Sequence, residues 1–546
     1  MSASQSSSST SLFGGRTFPQ FLAEVKANAK KAAEAKPEKP KTFRDGVVQD
    51  RVYRERDRFI ASIRDEDVCQ LASKYHNRDS CVIFKPSVRG SFNICYFVEF
   101  PNGDKWVVRV PLAPTLGFDP ARKLESEVAA MRLVATRTSI PVPKVHAYAL
   151  GTGPAPFSSF VILEYIQGRK LDYAGLNGLA PEQRRRLYRS LADMYVQLRR
   201  LEFPAMGCLV EDQHGARVGR RAVTLDTNMQ ELEGMAPFEI MDSYYGENDA
   251  PLRSADRYAK MLLDLADNAF RKSRTVAESE EQAADRIYHF HMFRQHAETW
   301  VDRRLDQGPF VLVHGDLEIF NLLLDHDMNI VGVLDWEWSR AVPLQLFISP
   351  LWLNSTTFES LCYSFRYRDY LERFDEFLAI LRAREREKYG NELLADEWDK
   401  RKKQSGFLVA YALERWTAMD WFANLYLNFT AHGGRKDLPK RVEAFIQSDP
   451  ACQALAKKKA LDWASYKAEL ETLNKSADSR SDQQEAPASS RHKQQSASSS
   501  GKQGFQWPYN TLFLSPVRIQ LSPYTVGATF LLLAVASSYM IGKRAL

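Results

Sequence analysis

The segment from Val311 to Glu337 constrains the fold of this chain more tightly than any other. It holds three short apolar runs, at 311–313, 321–324 and 330–334. The triplet His314-Gly315-Asp316 follows the first run, Asn321 begins the second, and Asp335 follows the third. Short apolar runs bounded by turn residues predict buried strands. The sequence therefore predicts two carboxylates and one carboxamide at the ends of short strands within a buried framework.

These three polar side chains have the spacing that phosphoryl transfer requires. In kinases one carboxylate accepts the proton of the acceptor hydroxyl, while an Asn and an Asp hold magnesium on the nucleotide phosphates. The chain follows the kinase order His-x-Asp-x-x-x-x-Asn with a later Asp. We therefore predict Asp316 as the catalytic residue, Asn321 and Asp335 as metal ligands, and ATP and Mg²⁺ as cofactors.

Two departures distinguish the segment from a protein kinase. Gly315 stands where protein kinases carry Arg, and Asp335-Trp336-Glu337 stands where they carry Asp-Phe-Gly. With those residues the segment resembles the aminoglycoside phosphotransferase family, the choline-kinase-like small-molecule kinases. The resemblance implies a protein-kinase-like fold and transfer of the γ-phosphate of ATP to a hydroxyl of a small molecule. A protein kinase is the weaker hypothesis, because no Ala-Pro-Glu segment follows Asp335.

The motifs do not specify the phosphate acceptor. Relatives in the family often carry His-Pro or small residues where this chain has Glu318-Ile319-Phe320, so the positioning of the acceptor is left open. The helices after Asp335 are expected to form the acceptor pocket. Several tryptophans would suit either an aromatic box for a quaternary ammonium group or the hydrophobic core. These are Trp336, Trp338, Trp352, Trp416 and Trp421.

Upstream of the segment, the sequence predicts the element order of a kinase amino-terminal lobe. A helical region at 50–76 precedes strands at 81–84, 93–100 and 105–110, a helix at 121–136, and strands at 145–150 and 160–165. The Asn102-Gly103 pair predicts a tight hairpin turn. From residue 167 the pattern is mostly helical, with a poorly patterned stretch at 211–250. We predict an α+β, two-lobed, protein-kinase-like fold with a small antiparallel-sheet lobe and a large, mainly helical lobe.

The nucleotide half of the predicted site departs from the kinase pattern at one position. Arg109 stands on the third strand where the phosphate-binding Lys is expected. Arg109 either does the work of that Lys or weakens nucleotide binding, because the two cations differ in shape and hydrogen bonding. Its expected partner is Glu127 on the following helix, with Glu125 as the competitor. Ser91 and Asn93 are predicted to bind the nucleotide from a loop at 87–93.

Composition limits the other functions that the chain could have. The net charge of +6 is small for 546 residues, and the basic side chains are dispersed, which argues against nucleic-acid binding. The six cysteines contain no C-x-x-C pair, so reduced thiols are expected. The predicted divisions are a disordered amino terminus (1–45), the two lobes (46–165 and 166–474), a disordered linker (475–520) and a membrane tail anchor (521–546).

The carboxyl-terminal segment 524–541 carries no charged residue and is followed by Lys543-Arg544. Its length lies at the lower limit for a membrane span. We expect a tail anchor that leaves the kinase domain in the cytosol, on the mitochondrial outer membrane or the endoplasmic reticulum. The alternatives are an interfacial helix and a spurious end of the coding region. The second functional hypothesis is that the protein is a membrane-tethered pseudokinase, which acts as a binding or scaffold module.

Overall fold

A five-stranded antiparallel sheet, in the order β1-β2-β3-β5-β4, forms the first lobe of the protein. The structure is a computed structural model, and it describes residues 43–153, 155–246, 249–402 and 405–484. The strands are β1 (Val82–Arg89), β2 (Asn93–Glu99), β3 (Lys105–Pro111), β4 (Val145–Leu150) and β5 (Ser159–Glu164). The predicted β2–β3 hairpin is present, with Glu99 opposite Lys105 and Gly103 at φ +90° in the turn.

Helices cover both faces of this sheet. They are α1 (Gly46–Ala61), α2 (Asp65–Tyr75) and α3 (Pro120–Arg137). Val108 and Val110 of β3 pack in one core with Val68 of α2. Because side chains alternate along a strand, Arg109 between them faces the opposite side, where α3 lies. This alternation directs a charged side chain from the centre of the sheet toward the second lobe.

The second lobe is mainly helical, as predicted. Its helices are α4 (Tyr173–Asn177), α5 (Pro181–Leu198), α6 (Leu225–Leu232), α7 (Pro237–Tyr245), α8 (Ala255–Lys272), α9 (Glu280–Trp300), α10 (Phe358–Leu361), α11 (Ser364–Tyr389), α12 (Leu393–Lys402), α13 (Gly406–Leu413), α14 (Trp416–Trp421), α15 (Asn428–His432), α16 (Leu438–Ser448) and α17 (Pro450–Gln484). A π-helical turn, Phe422–Leu427, joins α14 to α15. The arrangement confirms an α+β fold with an antiparallel sheet in one lobe and helices in the other.

Short strands in the second lobe carry the segment that opened the sequence analysis. The structure has β6 (Glu202–Phe203), β7 (Cys208–Asp212), β8 (Gly215–Arg220), β9 (Phe310–Val313), β10 (Leu322–Leu324), β11 (Ile330–Val333) and β12 (Arg340–Pro343). The order β12-β9-β6 forms one sheet, and β10 pairs with β11 in a hairpin. Strands β9, β10 and β12 are largely buried, so their ends hold the intervening polar loops in fixed positions.

The structure corrects several predicted boundaries. Strand β1 continues to Arg89 and leaves only a turn at 90–92, where a loop was predicted from residue 85. As an edge strand it can expose polar side chains, which concealed it in the sequence. The helical region 50–76 is two helices, and the stretch 211–250 is a hairpin followed by α6 and α7. Helix α17 extends to Gln484, past the predicted start of the linker.

The predicted membrane anchor at 521–546 lies outside the described residues. In the part of the chain that the structure describes, no helix combines the length and the apolar character that crossing a membrane requires.

Candidate active site

The loop after β9 is fixed by two residues that precede Asp316. His314 is buried and donates from Nε2 to the Leu334 carbonyl oxygen at 2.8 Å. Burial lowers the pKa of His314 to about 4, so its imidazole is neutral at physiological pH. Gly315 has φ +86°, and a Cβ there would lie 2.1 Å from the Trp338 carbonyl oxygen. Only glycine therefore allows the loop to pass this close to the following turn.

Asn321 and Asp335 lie at the same end of the β10–β11 hairpin. The Leu334 N–H donates to the Asn321 carbonyl oxygen at 2.9 Å, which joins the two positions through the backbone. The Asn321 amide nitrogen donates to the Asp316 backbone carbonyl oxygen at 2.8 Å, a contact that does not use the amide oxygen. Asp335 has a left-handed backbone, with φ 64° and ψ 51°, and its side chain is 38% exposed.

This donor set suits a magnesium ion that is held jointly with phosphate. No group of three or more His, Cys, Asp or Glu side chains in the described ranges could bind a metal alone. Magnesium commonly takes one or two carboxylates and completes its shell with water and substrate phosphates. The carboxylate of Asp335 and the amide oxygen of Asn321 fit that chemistry.

Arg109 joins the two lobes through three carboxylates. Its guanidinium forms an ion pair with Glu127 on α3, lies 3.0 Å from Asp335 and 3.3 Å from Glu337, and is 5% exposed. Burial alone would lower the pKa of Arg109, but the three carboxylates raise it above its usual value. Glu125, the competing candidate, points away and pairs with Arg220 at 3.2 Å. Arg109 therefore stays charged at the position where a phosphate-binding cation is expected.

A buried lysine that the sequence analysis missed lies beside Arg109. Lys123 forms an ion pair with Glu337, and Asn93 donates to Glu337 at 2.6 Å. Burial opposes ionisation of Glu337, yet the charges of Lys123 and Arg109 hold its pKa below the usual value. Lys123 precedes Glu127 by one helical turn, and residues four apart share a helix face. The spacing of four residues between Lys123 and Glu127 is the sequence feature that could have identified this lysine.

The two remaining predicted nucleotide-binding residues are less well placed. Ser91 is exposed in the turn between β1 and β2. Asn93 is buried on β2, and its amide already bonds to Glu337 and Lys123, the latter at 3.2 Å. The structure thus groups Asp316, Asn321 and Asp335 with Arg109 and Glu127, and it leaves Ser91 outside that group.

Two carboxyl groups near the end of β9, those of Asp316 and Glu318, have raised pKa values. Burial raises the pKa of Asp316 to about 6, although the positive charge of Arg415 opposes the shift. Burial also raises the pKa of Glu318 to about 7. The hydrogen bond that Glu318 accepts from the Tyr173 hydroxyl at 2.9 Å opposes this shift. Perturbed carboxyl groups that adjoin a cavity are typical of catalytic sites.

The Arg109→Lys variant should lower the free energy of unfolding by about 2 kcal/mol, because a lysine cannot reach all three carboxylates. Each lost hydrogen bond to a charged group costs roughly 1.5–3 kcal/mol. Chemical denaturation measures this change. Arg220→Lys is the matched control, since Arg220 pairs with Glu125 on the same helix but is 45% exposed. The control should change stability by less than about 0.5 kcal/mol. Equal effects of the two substitutions would contradict the buried ion-pair network.

Comparison with known proteins gives one family match. The family model described as "Phosphotransferase enzyme family" matches residues 90–344, a range that contains all the site residues except Arg415. The matched range begins in the turn after β1 and ends just after β12. It therefore spans both halves of the candidate site.

Curated relatives and solved structures are more distant. The chain is 24% identical over 328 residues to the clavilactone A biosynthesis cluster protein Y of Ampulloclitocybe clavipes, covering 58% of this chain and 72% of that protein. It is 23% identical over 260 residues to a probable acyl-CoA dehydrogenase, IBR3, of Arabidopsis thaliana, covering 46% of this chain and only 25% of that protein. A solved GDP and kanamycin complex of APH(2")-IIia is 16% identical, with a TM-score of 0.36, over 69% of this chain and 98% of that one.

Proposed function

Because this chain belongs to the phosphotransferase enzyme family through residues 90–344, we propose that it is an ATP- and magnesium-dependent small-molecule kinase. It transfers the γ-phosphate to a hydroxyl group of a small molecule. The observation that carries the proposal is the Arg109–Asp335 contact at 3.0 Å. Arg109, in the first lobe, is the cation expected to bind phosphate, and Asp335, in the second lobe, is the expected metal ligand. A phosphate-binding cleft requires these two groups to lie close together.

Each residue of the site has a distinct proposed role. Arg109, oriented by Glu127, binds the nucleotide phosphates. Asn321 and Asp335 would hold magnesium, which would neutralise the charge of the nucleotide phosphates. Asp316 orients the acceptor hydroxyl and takes its proton. His314 donates a hydrogen bond that fixes the loop and takes no part in the chemistry.

The proposal is tested by incubating the purified full-length protein with Mg²⁺ and γ-labelled ATP against a library of small hydroxyl compounds. Transfer of label to at least one acceptor, dependent on Mg²⁺, is the expected result. ATP consumption without an acceptor is measured in parallel, because water that enters the site can take the place of the acceptor hydroxyl. If the protein neither binds nor consumes ATP with Mg²⁺, the kinase proposal fails.

One observation favours the alternative, a membrane-tethered pseudokinase that serves as a binding or scaffold module. Arg109 already forms ion pairs with Asp335 and Glu337. These side chains therefore neutralise one another at the place where nucleotide and metal would bind. A pseudokinase would show no change in melting temperature with ATP and Mg²⁺. An active kinase would be stabilised in proportion to the logarithm of ligand concentration.

The rate of phosphoryl transfer should fall as the pH falls through the raised pKa of Asp316, about 6. Only the ionised carboxylate accepts a proton, so kcat/KM should be constant above pH ~7 and fall about tenfold per pH unit below the pKa. The pH profile of kcat/KM measures this fall at low pH, which is the acid limb of the profile. Glu318→Gln is the control, because Glu318 also titrates in this range, at about 7. Loss of the acid limb in that variant would assign the limb to Glu318 and contradict the role given to Asp316.

We further propose that residues 524–541 tether the protein to an intracellular membrane, with the kinase domain facing the cytosol. The support is the uncharged sequence of this segment and the basic pair at 543–544. The full-length protein should remain in the membrane pellet after carbonate washing, and a variant that lacks 521–546 should be released. Release of both proteins would contradict the tether and leave the kinase proposal untouched.

A further inference from the structure

A cavity lies beside Asp316, on the side away from Arg109. Its polar lining includes Asp316, Glu318, Glu414 and Arg415, with Trp352 and Tyr411 as aromatic walls. The cavity volume is about 120 Å³. This is below the roughly 300–1,000 Å³ of pockets that take drug-sized ligands. The position beside the proposed catalytic carboxylate makes it the acceptor site of the proposed kinase, and its size suits a compact acceptor.

Protein partners already satisfy most of the charged groups in this cavity. Glu414 forms an ion pair with Arg340 at 2.5 Å, and Arg340 also donates to the Trp338 carbonyl oxygen at 3.1 Å. Glu318 accepts the hydrogen bond of the Tyr173 hydroxyl at 2.9 Å. Burial raises the pKa of Glu318 to about 7, so part of the population is protonated at neutral pH and repels an anion less than an ionised carboxylate would.

Arg415 differs from these groups because it forms no direct ion pair with any described residue, and the charges of Glu414 and Asp316 act on it only over a longer distance. It lies between α13 and α14, and its guanidinium is 3.9 Å from the centroid of the Tyr411 ring. Among the described residues, no carboxylate lies within ion-pair or hydrogen-bonding distance of this guanidinium. A partly buried cation without a partner is costly for the folded protein. Stacking on Tyr411 orients the planar group but leaves its hydrogen-bond donors free.

We propose that the phosphate acceptor carries an anionic group, a carboxylate or a phosphate, which Arg415 binds while Asp316 receives the hydroxyl. The planar guanidinium can donate two parallel hydrogen bonds to either kind of anion. Arg415 lies outside the range matched by the family model, so this feature belongs to the carboxyl-terminal helices of the chain. The inference rests on the proposed kinase function, and it predicts which acceptors that function selects.

The competing explanation is that Arg415 only balances the charge of Asp316. After burial, the positive charge of Arg415 is the largest influence on the pKa of Asp316, and it lowers that pKa. A residue with this role alone would affect every acceptor equally. Removing it would raise the pKa of Asp316 and move the acid limb of the pH profile to higher pH. A residue that binds the acceptor would instead change the preference among acceptors.

The test uses full-length protein, Mg²⁺, γ-labelled ATP and a library of hydroxyl compounds grouped by charge. The library includes a set matched in size: glycerate and glycerol 3-phosphate as anions, glyceramide as the neutral compound, and 3-aminopropane-1,2-diol as the cation. We expect the best acceptor to be an anion. Arg415→Gln should lower kcat/KM for that acceptor by about 10- to 100-fold, mainly through KM, which is the loss expected for charged hydrogen bonds.

Control variants separate the acceptor role from a structural one. Arg415→Lys keeps the charge and should retain part of the activity, while Arg304→Gln removes an arginine that is 88% exposed and should change nothing. An unchanged melting temperature of Arg415→Gln establishes that it folds. A neutral or cationic best acceptor overturns the inference, and so does an equal loss for all acceptors in Arg415→Gln.

Failure of the inference and failure of the kinase proposal give different results. If no anion is phosphorylated while the protein still binds and consumes ATP with Mg²⁺, the inference is overturned and the kinase proposal stands. If ATP with Mg²⁺ is neither bound nor consumed, the kinase proposal itself fails.

Discussion

Replacing Asp316 with asparagine should lower kcat by about 10³-fold or more while leaving nucleotide binding intact. Asparagine preserves the shape of the side chain but cannot accept a proton. Positioned general bases contribute roughly 10²–10⁴-fold to rate, and orientation of the nucleophile adds to that. The measurement is steady-state transfer of phosphate to whichever acceptor the library yields.

The control for this prediction is nucleotide binding by the same variant. Asp316 adjoins the cavity proposed for the acceptor, whereas Arg109, Asn321 and Asp335 make up the side proposed for the nucleotide. Asp316→Asn should therefore show the same stabilisation by ATP with Mg²⁺ as the parent protein. A kcat within tenfold of the parent value would remove Asp316 from the catalytic role.

The second large effect is expected from Asp335→Asn, which should abolish magnesium-dependent binding of ATP. Asparagine tolerates the left-handed backbone of this position, so the change removes a charge with little added strain. At a ligand concentration of 100 times Kd, the parent should gain about 2.7 kcal/mol. A hundredfold weaker Kd would leave about 0.4 kcal/mol. Thermal unfolding with and without Mg²⁺ measures the difference.

Asp327→Asn provides the matched control for this variant. Asp327 lies in the turn of the same hairpin, is 69% exposed and pairs with Arg186 at 2.7 Å. Its replacement should preserve the full stabilisation by ATP with Mg²⁺. Persistence of that stabilisation in Asp335→Asn would show that the metal is held elsewhere.

Local patterns in the sequence predict much of the fold and the central part of the site. Asp316 and Asn321 are five residues apart on one loop, and the hairpin that follows returns Asp335 beside them. The helical spacing of α3 narrows the partner of Arg109 to Glu125 or Glu127, and packing decides between them. Short-range geometry of this kind is encoded in turn residues and in apolar periodicity.

Other features depend on contacts between distant parts of the chain, which periodicity cannot reveal. Arg415 lines the cavity beside Asp316, and Tyr173 donates a hydrogen bond to Glu318 in the wall of that cavity. The two residues come from elements far apart in sequence, and neither belongs to a recognisable motif. The polar stretch at 211–250 was misjudged for a similar reason. Leu209 and Val218 of its hairpin are buried because they pack in one core with α3 and the helices of the second lobe. The sequence also could not distinguish buried from exposed tryptophans. In the structure Trp336, Trp338, Trp352 and Trp416 are at most 5% exposed, whereas Trp421 is 43% exposed.

The contact between Arg109 and Asp335 has a consequence for the order in which ligands arrive. In the protein described here, Arg109 serves as the counter-ion of the carboxylate that is expected to bind the metal. A free magnesium ion would have to displace that guanidinium from Asp335 and leave it paired with Glu127 and Glu337 alone. Losing one of the charged contacts of a buried group is costly. Nucleotide phosphates offer Arg109 a new partner, so its release of Asp335 becomes favourable once they are present. We therefore expect metal and nucleotide to enter the cleft as one complex, with Arg109 coupling their binding.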